Sequence, residues 1–129
     1  MALPYPCFEY DPATSTGILT DDIVFMTPIK THVAVTVHIV LAFTGRLVLR
    51  KGYIWDFATG AVDTPDMVVP SLVHDAFCDL INAGEIPKSC QSKADRHFMA
   101  LMKQYNVAFA RRWWVYLAVR AYSLIKSMR

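Results

Sequence analysis

The sequence has too few cysteines, and the wrong spacing, for a fold held together by disulfides or zinc. Its three cysteines, Cys7, Cys78 and Cys90, are odd in number and form no CxxC pair. A disulfide framework uses an even set, and structural zinc sites draw on closely spaced cysteine pairs. The pattern predicts free thiols in a reducing compartment, where they pack as small core residues.

Long apolar runs and targeting signals are also lacking. The longest apolar stretch, residues 33–43, is interrupted by Thr36 and His38 and is shorter than the roughly 20 residues that a bilayer requires. The first residues, MALPYPCFEYDP, have neither a basic start nor an apolar core. We therefore expect no membrane span and no secretory signal.

The sequence contains none of the common catalytic motifs. It has no glycine-rich phosphate loop, no nucleophile elbow and no HExxH zinc motif. These absences leave open whether the protein is an enzyme, and we expect no cofactor and no metal.

The chain has enough apolar content for one packed domain. Apolar residues make up 54% of the 129 residues and charged residues 19%, a balance that excludes a disordered chain. We expect a single domain over residues 1–129, with part of the apolar surplus covered by a partner.

The net charge of +2 is unevenly placed. Residues 1–66 carry four basic and seven acidic side chains, or −3, and residues 67–129 carry nine and four, or +5. A basic end can attract nucleic acid or an acidic protein surface. A solvated helix face is the simpler interpretation, so we expect no specific nucleic-acid partner.

The first half is patterned as β-structure. The longest candidate strand alternates, with Val33, Val35, Val37 and Ile39 on one side. Thr44-Gly45 is a turn signal that predicts a return strand. The candidate strands, the first of them weaker, are residues 21–26, 31–43, 46–51 and 53–57.

The second half is patterned as three helices after a loop over residues 58–69. Pro70 suits the first turn of a helix that Gly84 caps. Ser89 or Ser92 can cap the second helix, and Ser92 with Asp95 resembles a capping box. The predicted helices are residues 70–83, a second ending near 106, and 108–126. The apolar stripe of the third consists of Phe109, Trp113, Leu117 and Leu124.

Together these patterns predict an α+β fold, in which a small, mainly antiparallel sheet from the N-terminal half packs against three C-terminal helices.

Ionisable residues inside these apolar elements are the candidates for chemistry. His74 and Asp75 interrupt an apolar helix, Asp56 ends an aromatic strand, Asp95 lies early in the second helix, and Arg120 interrupts the third. Burying any of them alone is costly, so they need partners. One interpretation is a structural polar cluster of all five. The other is a metal or catalytic site built from Asp56, His74, Asp75 and Asp95.

Four short segments, in order, resemble a phage and prophage family catalogued as domain of unknown function 1353. They are WDFAT at 55–59, VHDAFC at 73–78, ADRHF at 94–98 and YLAVR at 116–120. The family's corresponding patterns are TDLAS-x-P, LHD-x-x-Tyr, AD-x-x-F and Tyr-x-Ala-Val-Arg. Here Thr59 stands in place of the usual serine and Cys78 in place of the common tyrosine. The resemblance implies a phage origin and no known activity.

We therefore expect a phage accessory or virion-associated protein that acts by protein–protein binding. Other phage proteins or further copies of the chain are the expected partners, in the virion or the host cytoplasm. The alternative is a metal-dependent hydrolase that uses Asp56, His74, Asp75 and Asp95.

Overall fold

A computed structural model of the protein describes residues 3–56 and 64–127. Within these ranges seven strands precede three helices, which confirms the predicted α+β class. The strands are β1 (Phe8–Asp11), β2 (Thr16–Leu19), β3 (Ile23–Met26), β4 (Ala34–Val35), β5 (Ile39–Leu41), β6 (Arg46–Leu49) and β7 (Ile54–Asp56). The helices are α1 (Pro65–Asn82), α2 (Cys90–Gln104) and α3 (Phe109–Ser127).

The strands form two antiparallel sheets rather than one. The first has the order β1-β2-β7 and the second β3-β6-β5-β4. The chain leaves the second sheet after β6 at Gly52, whose φ of +95° favours glycine. It then pairs β7 with β2, so that Trp55 lies opposite Gly17. The strands β1 and β2 were not predicted, because Gly17 and the acids Glu9 and Asp11 weaken their pattern.

The predicted strand over residues 31–43 is wrong. It is a hairpin of β4 and β5, with Ala34 opposite Leu41. The turn changes which of the alternating side chains face the core. The odd-numbered Val33, Val35 and Val37 before it are exposed, whereas Ile39 after it is buried. The alternation of apolar residues in the sequence continues through the turn and gives no sign that the buried side changes. The pattern therefore resembles one long strand.

Helix α1 begins earlier than predicted. Its first residue is Pro65, and Pro70 lies inside it. The predicted loop is therefore helical over 65–69, and residues 58–63 lie outside the described ranges. The C-terminus matches the expectation, since Gly84 has a φ of +75° and the amides of Gly84 and Glu85 donate to Ile81 and Leu80, as in a Schellman cap.

Helix α2 begins at Cys90, after Ser89 at the N-cap. Ser92 therefore lies within the helix, and the predicted capping box with Asp95 is wrong. Asp95 belongs to the second turn, where its side chain is buried.

Two apolar clusters of unequal size hold the elements together. The main core joins both sheets to α1 and α2, and Trp55 and Phe77 are among its largest fully buried side chains. The small core lies under α3 and consists of Met67, Phe98, Met102, Val107 and Val115. In the described part of the chain, no helix is long and apolar enough to cross a membrane.

Candidate functional site

Asp95 is fully buried and hydrogen bonded on both carboxylate oxygens. Oδ1 accepts hydrogen bonds from His74 Nε2 at 2.7 Å and Gln91 Nε2 at 2.9 Å. Oδ2 accepts from Arg120 at 2.8 Å and from Ser123 Oγ at 2.9 Å. We call these five residues the Asp95 network.

The network joins three helices at one carboxylate. His74 lies on α1, Gln91 and Asp95 lie one turn apart on α2, and Arg120 and Ser123 lie on α3. Burial alone would raise the pKa of Asp95, but the hydrogen bonds from His74 and Gln91 hold it below its ordinary value. Asp95 therefore stays ionised, and its four donors replace the water that burial removes.

His74 is charged at neutral pH. Its ring stacks on Phe98, with 4.7 Å between centroids. Burial acts to lower the pKa of His74, but the hydrogen bond to Asp95 and the nearby Cys78 raise it to about 9. An imidazolium has no lone pair with which to accept a proton or bind a metal ion, so His74 is not a general base near pH 7.

Cys78 lies one turn after His74 on α1. Its sulfur is 3.8 Å from His74 Nδ1 and 3.9 Å from Nε2, and Gln91 Nε2 is 3.6 Å away. A sulfur that is equally far from both ring nitrogens does not lie along either N–H bond, as a thiol paired with its base would. The geometry thus places the sulfur of Cys78 beside the charged ring of His74.

Asp56 and Asp75 form a second group, apart from Asp95. The backbone amide of Asp56 donates to Asp75 Oδ2 at 3.2 Å. Burial raises the pKa of Asp75 to about 6, and the charge of Asp79 adds to this effect. The structure thus brings together His74, Asp95 and Arg120, and separately Asp56 and Asp75.

Asp79 belongs to this second group and was missed in the sequence. Its Oδ2 accepts a hydrogen bond from Tyr53 at 2.6 Å. Burial raises the pKa of Asp79, although the bond from Tyr53 acts against it. The signal was its position four residues after Asp75, which places both on one helix face. The same spacing relates Gln91 to Asp95.

A cleft of about 510 Å³ lies between α1 and α3. The carboxylates of Asp56, Asp75 and Asp79 line one wall, and Trp114 and Tyr122 line the other. The cleft is therefore acidic on the side of α1 and β7 and aromatic on the side of α3.

Among the residues that the structure describes, two cations line this cleft: the His74 imidazolium, which is paired with Asp95, and Lys126. The ammonium of Lys126 donates to the side-chain oxygen of Asn82. Among residues 3–56 and 64–127, no three His, Cys, Asp or Glu side chains lie close enough to hold one metal ion.

Comparison with known proteins identifies the family. No curated protein and no solved structure matches the chain significantly. The model of a family described as "Protein of unknown function (DUF1353)" matches residues 32–119, about two thirds of the chain. The match includes Asp56, His74, Asp75 and Asp95 and ends one residue before Arg120. The chain therefore belongs to the DUF1353 family of proteins of unknown function.

Proposed function

We propose that the protein is an accessory protein that binds another protein through the outer face of α3. This face carries no charge. Every exposed residue between 109 and 125 is apolar or aromatic. We call these ten residues the α3 face: Phe109, Ala110, Trp113, Trp114, Leu117, Ala118, Ala121, Tyr122, Leu124 and Ile125.

The α3 face includes the whole predicted apolar stripe, and that stripe is open to solvent. Seven large side chains of the face are between 42% and 69% exposed. At roughly 200 Å² for a large apolar side chain, they present on the order of 800 Å². A standard protein–protein interface covers about 800 Å² per partner, and monomeric proteins seldom expose an apolar patch of this size without a function.

The arginines of α3 donate hydrogen bonds to other residues of the same chain. Arg111 donates to Thr64 Oγ1 at 2.8 Å, Arg112 to the Val107 carbonyl at 3.4 Å and Arg120 to Asp95. Phosphate binding needs cations on the contact surface, so the α3 face suits an apolar protein surface better than nucleic acid.

A phage accessory role, in the virion or the host cytoplasm, is part of this proposal and draws on the resemblance to phage and prophage sequences. The metal-dependent hydrolase has less support. Asp95 already accepts four hydrogen bonds, and His74 is an imidazolium at neutral pH because its pKa is raised to about 9.

Replacing Leu117 by Glu is expected to abolish partner binding without unfolding the protein. Leu117 is 60% exposed, so we expect a stability change within about 0.5 kcal/mol. A carboxylate buried in an apolar interface without a partner weakens binding by more than roughly tenfold. Size-exclusion chromatography with light scattering and affinity purification from phage-infected cells would measure association.

The matched control is Gln104→Glu, which adds the same charge at an exposed position of α2. We expect it to bind as the wild type does. A wild type that stays monomeric at high concentration and retains no protein that Leu117→Glu loses would contradict the proposal.

A further inference from the structure

We propose that the partner carries a Lys or Arg side chain that enters the cleft between α1 and α3 while its apolar surface covers the α3 face. This inference rests on the proposed function and specifies the chemistry of the partner. The partner is a protein surface that combines apolar side chains with one long cationic side chain.

The cleft and the α3 face are one continuous surface. Trp114, Ala118 and Tyr122 belong to the exposed face of α3 and also line the cleft. A partner that covers the α3 face therefore reaches the mouth of the cleft. The volume of the cleft, about 510 Å³, lies within the range of roughly 300–1,000 Å³ that is typical of pockets that bury a ligand.

The charge of the cleft complements a cation. Asp56, Asp75 and Asp79 line it, together with Lys126 and the His74 imidazolium, whose charge Asp95 balances. Burial, together with repulsion from Asp79, raises the pKa of Asp75 to about 6. A bound ammonium or guanidinium would relieve this repulsion.

The opposite wall suits the same group. An ammonium or guanidinium is attracted to the faces of tryptophan and tyrosine rings, and Trp114 and Tyr122 supply these rings across from the carboxylates. Arg and Lys also have long apolar stems, which can lie along Ala118 while the charged end reaches the carboxylates.

The cations of α3 are poor candidates for this role when a second copy docks through its own α3. Arg111, Arg120 and Lys126 are held by Thr64, Asp95 and Asn82 of their own chain. Helix α3 also has no acidic residue to offer in exchange. Charge complementarity therefore favours a different protein over an α3-to-α3 dimer.

The test uses n-hexylguanidinium as the probe and 1-hexanol as its neutral counterpart. Titrations followed by backbone and indole NMR shifts would locate and quantify binding to the full chain. We expect n-hexylguanidinium to shift the signals of Asp75, Asp79 and Trp114 and to bind at least roughly tenfold more tightly than 1-hexanol. Equal affinity for both probes, or shifts outside the cleft, would overturn the inference.

The variant Asp56→Asn/Asp79→Asn removes two charges from the cleft while its amide oxygens still accept hydrogen bonds. It should lose the preference for the cation. The control Glu9→Gln/Asp21→Asn removes two exposed acids elsewhere and should keep it. A control that loses the preference equally would also overturn the inference.

Leu117→Glu separates this inference from the proposed function, because Leu117 does not line the cleft. It should lose the protein partner and keep n-hexylguanidinium. If Leu117→Glu keeps the partner, the proposed function fails. If Leu117→Glu loses the partner but n-hexylguanidinium does not bind the cleft, the proposed α3 interface is supported and the proposed cationic side chain is refuted. Wild-type dimers that are indifferent to Asp56→Asn/Asp79→Asn would mean that α3 faces cover each other, against this inference.

Discussion

Replacing Asp95 by Asn is expected to lower the free energy of unfolding by about 3–5 kcal/mol, the cost of breaking a buried ion pair from one side. The substitution keeps the size of the side chain but removes the charge that His74 and Arg120 share. The asparagine NH₂ group is a donor, and it would face groups that also donate, since Gln91 and Ser123 as well as His74 and Arg120 donate to position 95. A loss of this size is a large part of the roughly 5–15 kcal/mol that stabilises a typical domain.

The comparison variant is Asp75→Asn. Asp75 is outside the Asp95 network, and an asparagine oxygen can still accept the hydrogen bond from the Asp56 amide. Burial and Asp79 raise the pKa of Asp75 to about 6, so the ionised form is disfavoured and its removal should leave stability unchanged or higher.

Urea denaturation at pH 7 would measure both variants. A double-mutant cycle of Asp95→Asn with Arg120→Gln would isolate their coupling. If Asp95→Asn unfolds within about 1 kcal/mol of the wild type, the carboxylate does not hold the three helices together.

The second large effect is a loss of stability at alkaline pH that comes from His74. Its pKa is raised to about 9 in the folded protein, above the value of about 6.5 in an unfolded chain. A raised pKa means that the stabilisation is fully present below pH 6.5 and is lost as the pH rises through 9. The shift corresponds to about 3 kcal/mol between these limits.

Denaturation curves at pH 6.5 and 9.5 would test this, with NMR titration of the His74 ring to assign the group. In His74→Gln the pH-dependent loss should disappear, since glutamine can donate to Asp95 without titrating. Cys78→Ser should reduce it in part, because the sulfur contributes to the raised pKa. A wild type that is equally stable at both pH values would refute the role of His74 as a buried cation.

The sequence predicted the class of the fold and the helical half better than the sheet. Helical periodicity and Gly84 located the C-terminal part of α1 and its end, because both signals are local, but the start of the helix was placed too late. The two-sheet arrangement depends on β7 pairing with β2, a contact between residues far apart in the chain that no local pattern encodes. The hairpin of β4 and β5 was missed because the sequence alternates in the same way before and after the turn. No local signal shows that the buried side of the chain changes there.

The sequence predicted which residues belong to the candidate site, but not which of them contact one another. Arg120 was predicted to join a polar cluster with the four candidate site residues, and spacing along helices could not decide which carboxylate it meets. The choice depends on how α3 lies on α2, because that packing sets which carboxylate a side chain can reach. The same packing turns the apolar stripe of Phe109, Trp113 and Leu117 outward. The residues of α3 that pack inward are Val115, Tyr116 and Val119.

The unequal sizes of the two apolar clusters bear on how the protein opens. The main core contains no residue of α3, which is anchored through the small core, with Val115 as its buried residue. Detaching α3 therefore breaks the hydrogen bonds of Arg120 and Ser123 to Asp95 but leaves both sheets, α1 and α2 packed. Such a sub-global opening needs less free energy than complete unfolding. In the detached state water replaces the two donors that Asp95 loses, and a partner that bound only the attached α3 would shift the equilibrium toward the closed form.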